Sequence, residues 1–359
     1  MSTVRLLFGG APAKAGLQLG RGTTVVVSEG IVVGVETGRG AMTRRTVAFS
    51  DGVATAPFVD AHAHIGTGIS KYGVERPDRP LRLLSQGDAG PNNIKRIRST
   101  APPGTRYALS LAANGEESDA PCYESSNLDP EGVTRAVHES GSDIWGISVN
   151  LDPGALGTTQ ADPVFSASLR VAIELGLPLV LGTGSISQGD VTGHIDALRP
   201  GDVITYLFRG GDSDLFKRQD TIDALGRARR RGVHLDASHG AYSFDFAVAR
   251  RAIALGLAPD TLSSDQSTMC GEVPFSLQHA AVGKAMAAGM SVEDALAACT
   301  ARPGSLLNVA ASLPVPGQSA DFDVVSWNNA RPDEASPTLR LVATVRGGEV
   351  KRFASSQGV

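Results

Sequence analysis

The sequence predicts an α/β protein, a (β/α)8 TIM barrel with a small β-sandwich domain formed by both termini. Three observations predict it. In the middle of the chain, eight strand-like runs alternate with amphipathic helical stretches over about 250 residues, the count and length of such a barrel. Short strand-like runs occupy both ends. Aromatic residues make up only 5% of the chain, against 42 glycines, which favours closely packed α/β layers over an aromatic-rich β architecture. The expected division is 1–52 with 312–359 for the β domain and 53–311 for the barrel. An open doubly wound sheet is the competing arrangement, but no glycine-rich phosphate turn follows the first strand.

The elements follow in order. Thr23 to Val27 and Ile31 to Val35 flank Ser28-Glu29-Gly30, a hairpin signal, and Thr46 to Phe49 is a further strand. The barrel strands are expected at Val53–His64, Leu81–Gln86, Arg106–Ala112, Asp143–Leu151, Leu179–Gly182, Val203–Phe208, Gly232–Ala237 and Thr261–Ser264. Helical periodicity marks Pro163–Leu175, Phe216–Arg231, Phe244–Leu255 and Val273–Ala288. Phe322 to Trp327 and Leu339 to Arg346 return to strand, and Gly347-Gly348 turns the chain into Glu349 to Phe353. There is no internal repeat and no low-complexity linker.

Composition narrows the function classes. The 359 residues carry 33 Lys and Arg against 37 Asp and Glu, a net charge of −4. The densest basic run, Arg227 with Arg229, Arg230 and Arg231, reads as the solvated end of a helix, so no nucleic-acid partner is expected. Cys122, Cys270 and Cys299 are odd in number and far apart, which suits a reducing cytoplasm rather than a disulfide framework. Leu6-Leu7-Phe8 is too short for a signal-peptide core, and no run reaches the ~18 apolar residues of a membrane span. The expected partner is a small molecule, and a homo-oligomer is compatible with this composition.

The motif richest in chemistry is Asp60-Ala61-His62-Ala63-His64, at the end of the first barrel strand. Residues two apart on a strand point the same way, so the two imidazoles aim at one place. Neutral imidazole is the commonest protein ligand for zinc and similar ions. Barrel active sites lie at the C-terminal ends of the strands. That rule gathers Asp88, Asn114, Glu116, Asn150, Asp152, Tyr206, Arg209, His239 and Asp265 at one end. Asp265 ends strand eight, which closes beside strand one. It is thereby placed to join His62 and His64 on one ion, or to take a proton from the attacking water.

These residues resemble the amidohydrolase superfamily, and within it the dihydroorotase-like deacetylases. The run from Ala56 to His64 is similar to the family's first-strand motif, and Gly87-Asp88-Ala89-Gly90 to its second-strand segment. Leu177-Pro178-Leu179, Gly201-Asp202-Val203-Ile204-Thr205, Ser238-His239-Gly240 with Ser243-Phe244, and Leu262-Ser263-Ser264-Asp265 continue the match in order. The similarity spans residues 50 to 330, and the β-rich ends suit the small sandwich of such enzymes. Two-metal members use a carboxylated lysine on strand four and histidines ending strands five and six. The corresponding positions here are Ser148, Gly182 and Tyr206. No lysine occurs between Lys95 and Lys217, and His194 is the one histidine between His138 and His234. The resemblance therefore implies at most one divalent ion, of the zinc type, on His62, His64 and Asp265, with an open position.

Other residues have two readings each. His239 is a pocket residue acting as a catalytic group, or a structural loop histidine. Tyr206 donates a hydrogen bond to a substrate oxyanion, or fills the space of the missing ion. Arg209 pairs with a substrate carboxylate, or with a surface acid. Ser148 and Gly182 would line a reshaped pocket. Cys270 is an extra ligand or an inert packed thiol. Asp212 and Asp214 read as solvated. The leading function is hydrolysis of an amide, a cyclic amide or imide, or an ester of a small molecule. The alternatives are a metal-free cyclisation or elimination, with Asp265 and His239 as base and acid, a ligand-binding protein, or a non-catalytic homologue.

Overall fold

The computed structural model describes residues 3–10, 12, 18–38, 45–68, 80–116, 121–185, 189–240, 243–266, 277–327 and 339–353. Cys270 and the start of the helix expected from Val273 lie outside the described residues. The chain divides into two compact units. One is Met1–Val59, Pro77–Leu81 and Pro274–Val359, and the other is Asp60–Arg76 with Arg82–Val273.

The first unit holds two four-stranded sheets. β1 (Thr3–Phe8), β2 (Thr23–Ser28), β3 (Ile31–Thr37) and β4 (Thr46–Phe49) form one, in the order β3-β2-β1-β4. The other joins β5 (Val53–Thr55) to three strands from the far end of the chain, β14 (Phe322–Trp327), β15 (Leu339–Arg346) and β16 (Glu349–Arg352). The sheets share one apolar core, with Leu6, Phe8 and Val25 from the first and Phe322, Val324 and Val345 from the second. Burying these side chains is what holds the two ends of the sequence together.

Eight parallel strands make the barrel: β6 (Val59–Ala63), β7 (Arg82–Gln86), β8 (Arg106–Ser110), β9 (Ile144–Asn150), β10 (Leu179–Gly182), β11 (Val203–Thr205), β12 (His234–Ser238) and β13 (Thr261–Ser263). They lie in sequence order. The ring closes through a parallel bridge between Ala63 and Gln266, with Asp265 N–H donating to the His62 carbonyl at 2.9 Å and His64 N–H to the Gln266 carbonyl at 2.8 Å. Nearly every strand residue is buried, as expected when side chains fill the ring on one face and helices cover the other.

The crossover helices are signed locally. Asp190 and Asp245 accept from the first free N–H groups of Val191–Ala197 and Phe246–Ala254. Gly176 and Gly232 end Ala161–Leu175 and Gln219–Arg231 in the left-handed conformation.

Two expectations change. The first barrel strand does not run unbroken from Val53. Val53–Thr55 pairs with β14, and strand resumes only at Val59. Pro57 lies in the gap; it has no N–H to give a ladder, so one apolar run serves two sheets. Asp214 is buried rather than solvated, because its carboxylate accepts from Phe216 N–H at 2.8 Å and caps the short turn Leu215–Lys217.

His279, in the helix Leu277–Ala287, is a titrating element of the first unit. It packs against Phe58 in a tilted arrangement, with ring centroids 4.3 Å apart. Neither ring nitrogen has a hydrogen-bond partner. Burial, helped by the charge of Arg346, pushes its pKa down to about 3. The unfolded chain therefore binds a proton near pH 6.5 that the folded state refuses. The stability it allows is present above pH 6.5 and is lost as pH falls toward 3. Between pH 7 and 5 this single group removes about 2 kcal/mol. A His279→Leu variant should gain on the wild type by about that amount over the interval, read from urea unfolding at each pH. A pH-independent difference would show that His279 takes up its proton as readily in the fold as in the unfolded chain.

Candidate active site

The donor atoms meet at the C-terminal end of the barrel. His62 Nε2 and His64 Nε2 lie 3.2 Å apart. Asp265 Oδ1 is 3.0 Å from His64 Nε2 and 3.6 Å from His62 Nε2. Among the described residues this is the one group of three His, Cys, Asp or Glu able to share an ion. Zinc bonds of about 2.0–2.1 Å to a tetrahedral donor set place neighbouring donors about 3.3–3.4 Å apart. The three separations bracket that value. Two imidazole nitrogens and a carboxylate oxygen converging this closely call for positive charge between them, so the residues fit a divalent ion.

Each donor is oriented from behind. His64 Nδ1 donates to Asp88 Oδ1 at 2.8 Å. Asp88 is itself fixed by Gly66 N–H at 3.0 Å and the Ser85 hydroxyl at 2.9 Å. His62 Nδ1 meets the Thr205 hydroxyl at 2.8 Å. Both imidazoles therefore turn Nε2 toward the centre. Burial would lower the pKa of His64, but the charge of Asp88 and hydrogen bonds to Asp265 and Asp88 hold it well above the ordinary histidine value. Burial would likewise raise Asp265, yet the hydrogen bond from His64 and the neighbouring His62, His64 and Arg209 keep it below the usual carboxylate range.

A small cavity of about 10 Å³ adjoins these donors. His62, His64, Glu116, Ser148, Gly182 and Tyr206 are among its lining residues. Ser148, Gly182 and Tyr206, from three successive strands, thus face the histidines. Tyr206 carries a left-handed backbone, φ 60°, which a bulky residue adopts only under constraint. That turn lets both Thr205 and Tyr206 reach inward, against the alternation of a regular strand. The Tyr206 hydroxyl is 3.4 Å from His62 Nε2. Its ring covers Gly182, where a Cβ would sit 3.2 Å from the ring, so the space released by glycine is taken by the tyrosine. The Arg209 guanidinium lies over that ring, 3.8 Å from its centroid, and pairs with Asp152 at 3.0 Å.

Arg209 and His239 are not among the lining residues. His239 is buried, and its Nδ1 donates to the Gly240 carbonyl at 2.8 Å. Glu116 and Asp88 were strand-end residues without assigned roles, and the structure puts both to use. Tyr123 donates to Glu116 Oε1 at 2.7 Å, and Asn150 Nδ2 approaches Oε2 at 3.4 Å. Burial raises the pKa of Glu116 against these hydrogen bonds. The readable signal was its place just past strand three. Tyr123, which orients it, lies on a loop with no periodicity to announce it.

Gly240 controls Asp265 directly. It has φ 45°, and a Cβ there would stand 2.1 Å from Asp265 Oδ2. Gly240→Ala should therefore displace the carboxylate and weaken the binding of an added divalent ion by about tenfold or more, with an unchanged far-UV circular dichroism spectrum. Wild-type affinity, measured by chelator competition, would contradict this packing.

No family model matches the chain. A deacetylase of Agrobacterium fabrum is 28% identical over 313 residues, covering 82% of this chain and 74% of that protein. A deacetylase of Brucella anthropi is 26% identical with the same coverage. A crystal structure of a dihydroorotase superposes with a TM-score of 0.81 at 23% identity, over 97% of this chain and 99% of the other. With the His62, His64 and Asp265 centre in a closed eight-stranded barrel, these likenesses support membership of the amidohydrolase superfamily.

Proposed function

We propose that this chain is a hydrolase that cleaves an amide bond of a small molecule, with one zinc ion held by His62, His64 and Asp265. The observation that carries the reading is the convergence of those three donor atoms at 3.0 to 3.6 Å. The names of the curated relatives make an N-acetylated compound the first substrate class to test. Nothing in the site favours ring closure or elimination over hydrolysis.

A divalent ion bound there supplies a water nucleophile at neutral pH and polarises the substrate carbonyl. Asp265, held ionised by its neighbours, takes the proton of the attacking water. The oxygen–carbon bond forms, the carbon–nitrogen bond breaks, and Asp265 returns the proton to the departing nitrogen. The Tyr206 hydroxyl donates toward the oxygen that gathers negative charge. Burial and the nearby charge of Asp265 keep Tyr206 protonated, as a donor must be. Glu116 and Ser148 line the small cavity beside the histidines, on the side from which a substrate carbonyl would approach. His239, joined to the Gly240 that abuts Asp265, is a positioning residue for the base. Arg209 braces Tyr206 and holds Asp152.

No described helix is long and apolar enough to cross a membrane. Cys122 and Cys299 are buried, and burial pushes the Cys122 pKa up to about 12, so both suit a reducing cytoplasm.

Elemental analysis after expression in zinc-supplemented medium and dialysis should give one equivalent per chain. Two retained equivalents would contradict the reading. On a panel of N-acetylated amino acids and amino sugars, Asp265→Asn should lower the rate of the best substrate by about 10²–10⁴-fold. A variant keeping more than a tenth of the wild-type rate would remove Asp265 from the chemistry.

A further inference from the structure

Deep in the barrel, below the histidines, lies a carboxylate that the proposed chemistry does not use. Asp236 is the middle residue of β12 and is 1% exposed. Its Oδ1 accepts from the hydroxyls of Thr261 and Ser263, both at 2.6 Å. Its Oδ2 accepts from the Thr205 hydroxyl at 2.8 Å. Register explains the gathering. Asp236 pairs across to Thr261 on β13, and β11 pairs with β12 through Ile204 and Leu235, which brings Thr205 level with Asp236.

Thr205 has a single hydroxyl proton. That proton is given to Asp236, so the same oxygen faces His62 Nδ1, 2.8 Å away, as an acceptor. Nδ1 must then carry hydrogen, and Nε2 is left to face His64 and Asp265. Asp236 Oδ2 itself stays 3.5 Å from Nδ1. We propose that Asp236, acting through Thr205, is the positioning residue that fixes the tautomer and ring orientation of His62 for metal binding. His64 reaches its carboxylate, Asp88, directly, whereas His62 reaches Asp236 through a hydroxyl. Partners of this kind are typically worth about 10–100-fold in metal affinity.

The inference rests on the metal reading above, and its test separates the two. Thr205→Val keeps the side-chain shape and removes the relay oxygen. Zinc affinity by chelator competition should fall about 10–100-fold in Thr205→Val and in Asp236→Asn, and stay within about threefold of wild type in Thr205→Ser. The double variant should be no weaker than the worse single one, because both break one connection. Thermal unfolding of the zinc-free proteins measures any purely structural loss. In parallel, the imidazole ¹⁵N shifts of His62 in zinc-free protein should report hydrogen on Nδ1 in the wild type and a tautomer mixture in Thr205→Val. A wild type that binds no zinc would refute the metal reading, while the ¹⁵N shifts would still decide the relay. Unchanged affinity in Thr205→Val, or an unchanged His62 tautomer, overturns the proposal.

Discussion

One backbone hydrogen bond, from Asp265 N–H to the His62 carbonyl at 2.9 Å, ties the end of strand eight to the end of strand one. Everything at the centre follows from it. Strand geometry sends His62 and His64 to the same side, but two histidines alone do not make a catalytic zinc site. Closure of the ring brings the third donor from 201 residues further along the chain. Asp265 takes a left-handed backbone, φ 52°, to make that approach, and Gly240 leaves room for its carboxylate. Local strain, a glycine and a ring closure are thus spent on one oxygen atom.

Much of this was legible in the sequence. The alternation of strands and helices gave the barrel because period-2 and period-3.6 patterns are imposed by burial. The pair His62 and His64 was legible because strand parity makes a two-residue spacing geometric. Asp265 followed from the order of strands in a closed barrel. The split of the first strand at Pro57 was missed, since Val53–Thr55 and Val59–Ala63 are equally apolar and only their partners differ. Asp88, Thr205 and Asp236 escaped as orienting groups for a related reason. Each acts through a pairing between strands, and a sequence read alone states which residues lie on a strand but not which hydroxyl stands level with which carboxylate.

The cavity beside the histidines has small residues and one aromatic ring in its lining. Ser148 and Gly182 offer little bulk, and Tyr206 occupies the opening left by the glycine. The aromatic ring is set by an unusual backbone angle and packs against Gly182 and Arg209. Such support keeps a hydroxyl in place beside His62, where the proposed hydrolysis would use a donor to developing negative charge.

The central claim is a single ion on three named atoms. Anomalous diffraction from a crystal of the zinc-loaded protein, collected on both sides of the zinc absorption edge, tests it most directly. The account requires one strong peak per chain, within about 2.0–2.2 Å of His62 Nε2, His64 Nε2 and an Asp265 carboxylate oxygen. Two peaks in the cavity, or one peak that lies away from any of these three residues, would contradict it.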